Sequence, residues 1–211
     1  MAFLSSILSF FLHIDTHLAS IIEAYGTLTY VILFAIILCE TGLVVMPFLP
    51  GDSLLFAAGA LAGKGDFNIY VLFILLFVAA VCGDALNFYI GSKLGNAAFA
   101  RYPRIFKQDH LKKTNQFFAT YGNKTIVIAR FMPIVRTLAP FVAGVGQMQY
   151  SHFVFYNVFG ALLWLSLFLG CGYFFGSLPF VEKNFSFVIL VIIILSVLPA
   201  LYEWWKGRRK T

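Results

Sequence analysis

The chain has 211 residues, of which 61% are hydrophobic and only 11% charged. A soluble domain of this size needs far more charge to cover its surface, and apolar stretches of spanning length recur along the whole chain, so the composition is that of an integral membrane protein. The net charge of +6 is not a nucleic-acid signature here, because Lys and Arg gather in two stretches, the distribution that orients a membrane protein.

Residues 1–23 are apolar but interrupted by His13, Asp15, His17 and Glu23, which predicts an interfacial helix rather than a span. The two histidines stand four apart and could face one metal, but no third ligand accompanies them, and no metal or cofactor is expected. No cleaved signal peptide is recognisable at the start. Ala24–Cys39 is free of charge and ends at Glu40; it is either a separate span or the first arm of the segment that follows. That segment, about 41–64, contains Pro47, Pro50, Gly51 and Asp52 and reads as a re-entrant hairpin. A span over about 68–92 carries Asp84 toward its far end, and a basic stretch follows from Lys93 to Lys124. Within that stretch Leu111, Phe118 and Tyr121 share a helical face beside Lys112 and Lys113, which suits a helix lying on an anionic leaflet or an ordinary orienting loop.

Thr137–Val181 runs for 45 residues without formal charge. One straight helix of that length would be roughly 68 Å long, more than twice the ~30 Å hydrocarbon core, so the segment must fold back. It divides into the second arm of a hairpin over about 125–146 and a span over about 150–176. A last span over about 185–202 precedes "KGRRK" in the tail, 206–211.

The basic loop and the basic tail should both be cytoplasmic. Between them the chain must cross an even number of times, and the spans 150–176 and 185–202 supply two crossings. The segment 125–146, with Arg130, Pro133, Arg136, Pro140 and Gly144, should therefore enter and leave on the cytoplasmic side. The same logic makes 41–64 a hairpin entering from outside. "MPFLPGDSLLFAAG" (46–59) sets against "MPIVRTLAPFVAG" (132–144) with one gap, and each is followed by a long span of opposite direction. The predicted architecture is all-α: an inverted-topology repeat of re-entrant hairpin plus transmembrane helix with flanking helices, as in many secondary transporters. Such broken helices are tolerated only inside protein or around a wet cavity.

Arg130 and Arg136 each cost about 2.5–3.5 kcal/mol at a lipid-facing helix centre, and a guanidinium cannot escape by losing a proton. Two roles fit: salt bridges to Glu40 and Asp52 that hold the hairpins, or a site for an anion such as phosphate. Glu40 and Asp52 could bind a coupling proton or sodium ion, and Asp52 could equally cap a helix beginning near Ser53. Asp84 could pair with Lys93, line a pathway, or support packing. Gly91-x-x-x-Gly95 and Gly172-x-x-x-Gly176 permit close helix contact. The chain has no zinc-protease, nucleophile-elbow or phosphate-loop motif, and an enzyme is not expected.

Together, Glu40, Pro47-x-x-Pro50-Gly51-Asp52, Gly83-Asp84 with Tyr89 and Gly91, Arg130-Phe131-x-Pro133-x-x-Arg136 and Pro140-x-x-Ala143-Gly144 resemble the DedA family, whose eukaryotic relatives form the SNARE-associated Golgi protein or VTT-domain group. The resemblance covers roughly residues 4 to 205. It implies a membrane transport domain over 24–205 and residence in the bacterial inner membrane with a cytoplasmic C-terminus. It also implies movement of lipids, among them a polyprenyl phosphate carrier, with Glu40, Asp52, Arg130 and Arg136 as the required residues. The expected activity is proton-coupled translocation of an anionic phospholipid or polyprenyl phosphate. Transport of a small solute or ion, or assistance to the assembly of other membrane proteins, are the alternatives.

Overall fold

The computed structural model of the protein describes residues 20–22, 24–43, 51–94, 108–192 and 194; at 108–113, 133 and 134 it describes the backbone alone. In chain order the helices are α1 (Leu28–Gly42), α2 (Gly51–Lys64), α3 (Ile69–Leu94), α4 (Gln108–Tyr121), α5 (Thr125–Ala129), α6 (Pro133–Val145), α7 (Tyr150–Phe175) and α8 (Pro179–Lys183). Residues 185–192 are also helical, and the described residues contain no strand. The all-helical class read from composition is the class adopted. Nearly all of the expected interfacial helix 1–23, the turn prolines Pro47 and Pro50, much of the basic loop, the second half of the expected span 185–202 and the tail at 206–211 lie outside the described residues.

Helices α3 and α7 have 26 residues each. At about 1.5 Å per residue each is about 39 Å long, enough to cross a ~30 Å core with tilt. Among the described residues these two alone are long and apolar enough to span, and they fall where the sequence places the spans 68–92 and 150–176. The 15-residue α1 reaches only about 22 Å.

The chain forms two compact units, and α1, α3 and α7 each contribute to both. One unit contains α2, α3 as far as Leu76, α7 from Leu165, and α8. Here α2 packs on α7 with backbones touching. A Cβ on Gly59 would overlap the Leu169 carbonyl oxygen, and one on Gly172 would overlap that of Phe56. Only glycine allows this approach. Helix α2 ends at Gly65, whose φ of +96° lets the Asp66 N–H reach back to the Leu61 carbonyl at 3.0 Å. Asn68 then starts α3 by accepting from the Tyr70 and Val71 N–H groups at 3.0 and 3.3 Å. The Lys64 ammonium meets the exposed Glu182 carboxylate of α8 at 2.7 Å. An apolar groove of about 360 Å³ is lined by Phe56, Phe168, Cys171, Phe180, Phe187 and Val191, among others.

The other unit takes the end of α1 from Ala35, α3 from Phe77, α4 to α6, and α7 as far as Trp164. Here α6 packs on α3 by the same device: a Cβ on Gly144 would overlap the Phe88 carbonyl oxygen, and one on Gly91 that of Phe141. Phe88 stacks on Phe153 at 4.3 Å between centroids, in a core shared with Ile126, Ala129, Met132 and Val135. Pro133 dictates the break before α6. A residue preceding proline is pushed out of the helical region, and Met132 is extended at φ −129°, ψ 104°. The chain closes α5 with tight three-residue bonds at Arg130, Phe131 and Met132, then restarts at Pro133.

Candidate functional site: a buried two-arginine cluster

The break sets Arg130 just past the end of α5 and Arg136 in the first turns of α6. Both side chains are buried, Arg130 at 2% exposure and Arg136 at 7%. Nη2 of Arg130 donates to Oδ2 of Asp84 at 2.6 Å and to Oδ1 of Asn157 at 2.5 Å. Asn157 is itself fixed, because its Nδ2 donates to the Val81 carbonyl of α3 at 3.1 Å. Nη2 of Arg136 donates to Oε1 of Glu40, near the end of α1. Beneath both cations lies Trp164 of α7, fully buried, with guanidinium carbons 5.9 and 5.3 Å from its ring centroid. This is cation–π range, worth more when water is excluded. Gly160 makes room for the arrangement: a Cβ there would stand 3.1 Å from Cδ and 3.2 Å from Nε of Arg130.

A second asparagine ties the backbones on which these charges ride. Asn87 of α3 is fully buried and its Nδ2 donates to the Thr137 carbonyl at 2.8 Å and to the Thr41 carbonyl at 3.4 Å. Thr41 follows Glu40 and Thr137 follows Arg136, so Asn87 fixes the spacing of that ion pair. Gly83 keeps α1 and α3 close, since a Cβ there would overlap Oγ1 of Thr41. Among the described residues, Nε and Nη1 of Arg130, Oδ1 of Asp84 and Oδ1 of Asn87 have no hydrogen-bond partner. Spare donors on a buried cation suit an oxyanion or water, and the acceptors beside it suit water or a proton.

The arrangement sorts the expected residues. Arg136 takes Glu40, one of the partners foreseen for it. Arg130 takes Asp84, for which pairing with Lys93, lining a pathway and supporting packing were the expected roles; the Lys93 ammonium lies over the Tyr89 ring, 5.6 Å from its centroid. Asp52 belongs to the other unit, buried in the first turn of α2, where the helix dipole favours a carboxylate. Gly51 is the first residue of α2, and Pro140 lies inside α6, where it has no N–H to offer the Arg136 carbonyl four residues back. Asn87, Asn157, Gly160 and Trp164 did not stand out in the sequence. The signal was present: an amide in the middle of a spanning segment is an expensive polar group that must be satisfied.

The model of the VTT domain matches residues 49–174, which take in every charged residue of this cluster except Glu40. Protein DedA of Escherichia coli strain K12 is 52% identical over 206 residues, covering 96% of this chain and 94% of that protein. The chain belongs to the DedA family. The chain also shares 42% identity with the uncharacterized membrane protein ML0287 of Mycobacterium leprae, over 82% of this chain and 78% of that one. The inner membrane protein YghB of Escherichia coli is 32% identical over 87% of this chain and 81% of its own length. No solved structure matches.

Proposed function

We propose that this DedA protein is a proton-coupled lipid translocase of the bacterial inner membrane. It takes an anionic phospholipid or a polyprenyl phosphate by its head group. The observation that carries this reading is the pair of buried arginines on one tryptophan face, each held by a carboxylate that can be neutralised while the guanidinium cannot. Arg130 and Arg136 receive the phosphate oxygens. Glu40 exchanges a proton and so alternately holds and releases Arg136, and Asp52 is the second proton-exchanging carboxyl that the family resemblance implies. A proton moving down a ~100 mV potential supplies about 2.3 kcal/mol, enough to bias the site between two faces. The relatives named inner membrane proteins support the location.

The packing glycines support an inverted repeat and, with it, alternating access. Phe56 and Gly59 correspond to Phe141 and Gly144 at a constant spacing of 85 residues, and Phe88, Gly91 and Ser92 to Leu169, Gly172 and Tyr173 at 81. In one unit Gly59 abuts Leu169 and Tyr173 while Gly172 abuts Phe56; in the other Gly144 abuts Phe88 and Ser92 while Gly91 abuts Phe141. Each hairpin helix thus packs on the long helix of the opposite repeat through matching residues. In this reading 41–64 and 125–146 are the re-entrant hairpins.

The test is translocation of labelled phosphatidylglycerol and labelled polyprenyl phosphate in proteoliposomes, with and without an imposed pH gradient. Wild type should accelerate flipping and Arg136→Ala should not. Equal flipping by both proteins, or none by well-folded wild type, would reduce the arginines to a clamp between α1 and α6.

A further inference from the structure

The pairing pattern gives each arginine its own carboxylate. A proton on Glu40 discharges the partner of Arg136 only, and Arg130 would stay locked to a different carboxylate on a different helix. We propose that Asp84 is a further proton-exchanging carboxyl of this cluster, releasing Arg130 to the head-group oxyanion, with Asn157 as the positioning residue that keeps Arg130 in place. The proposal rests on the head-group reading above for its ligand, but its titration can be read without any lipid.

Asp84 is built for this. It is 2% exposed and spends one oxygen on Arg130, while Oδ1 has no partner among the described residues and is open to a proton. The charged groups that act on it are Arg130, from the turn between α5 and α6, and Arg136, from α6, while Glu40 of α1 acts on Arg130. From α7 come Asn157 and Trp164, which are neutral. With both carboxylates ionised the four charges sum to zero and the cluster has no call for an anion. When a proton binds Oδ1 the carboxylate becomes a neutral acid, the ion pair with Nη2 is lost, and the cluster carries one positive charge. An anionic oxygen can then take the place of Oδ2 and reach the donors on Nη1 and Nε. Asn157 does not titrate and is anchored to Val81, so Arg130 stays over Trp164 while its counter-charge changes.

The test uses the full chain. Infrared difference spectra between mildly acidic and mildly alkaline solution should contain a protonated-carboxyl band that is lost in Asp84→Asn. The pH profile of lipid flipping in proteoliposomes should flatten by about tenfold per pH unit in the same variant, the loss of one linked proton. The double variant Asp84→Asn/Asn157→Asp moves the carboxyl to the other side of the same Nη2 and should restore both. If the band survives in Asp84→Asn and the profile is unchanged, the proposal is wrong. If wild type moves no lipid but the band is lost, proton exchange at Asp84 stands and the lipid reading falls. If Asp84→Asn does not fold, the double variant decides, and a swapped chain with no titrating carboxyl at 157 overturns the proposal.

Discussion

A guanidinium and a carboxyl differ in one respect that governs the cluster: only the carboxyl can become neutral when its partner is taken away. Asp84→Leu strands Arg130 as a buried cation with Asn157 as its remaining partner, and should cost about 3–5 kcal/mol. Arg130→Leu leaves an acid that can take up a proton, and should cost less. The double replacement should cost less than the sum of the two, a coupling that thermal unfolding of the four proteins in detergent would read directly. Equal costs for the two single variants would mean that Asp84 is not held in its charged form by Arg130. At this scale the sequence was legible for charges and opaque for amides. Glu40, Asp84, Arg130 and Arg136 announce themselves in a chain that is only 11% charged. Asn87 and Asn157 hide in apolar runs, and among the roles open to Asp84 the pairing with Arg130 was not named, because the two are 46 residues apart in sequence.

Helix contacts make a sharper set of claims. Gly59→Ala and Gly144→Ala both drive a methyl into a backbone carbonyl of a facing helix and should each destabilise by about 1–3 kcal/mol or more. Gly170→Ala in α7 meets nothing within 4 Å among the described atoms and should be neutral or gain up to about 1 kcal/mol. If all three behave alike, the contacts are not where the stability lies. At the end of α2, the Lys64 ammonium holds the Glu182 carboxyl below the usual carboxylate range through their hydrogen bond. A depressed acid stabilises the fold above its unfolded pKa, and that contribution is lost as pH falls through the folded value. Wild type and Glu182→Gln should therefore melt differently near neutrality and converge in acid; a constant gap would exclude the ion pair as its source. The break at Met132 could be read from Pro133 alone, because proline acts on its immediate neighbour. The docking of α2 on α7 and of α6 on α3 could not, since a glycine pair in sequence does not name the helix it will meet.

For the molecule as a whole, the proposed re-entrant reading of the segment 125–146 puts both of its ends on the same side. With Cys39, Cys82 and Cys171 replaced, Asn123→Cys and Gln147→Cys should both react with an impermeant thiol reagent from the cytoplasmic side; both are exposed. Labelling from opposite sides would make the segment a full crossing and put the tail outside. The two proposed repeats share their packing glycines but not their chemistry. At the spacing of 81 residues, Asp84 and Asn87 answer to Leu165 and Phe168, and Asn157 and Trp164 to Leu76 and Gly83. One half of the architecture is therefore a polar site and the other a largely apolar scaffold with a groove between its aromatic side chains. That asymmetry has an optical corollary. Trp164 is fully buried against both guanidinium groups, and the chain's two other tryptophans, Trp204 and Trp205, stand near its end in sequence. Once those two are changed to phenylalanine, Trp164 becomes the sole emitter, and its brightness and colour report each time a cation leaves its face. The proposed transport cycle can then be followed by light, without attaching a dye.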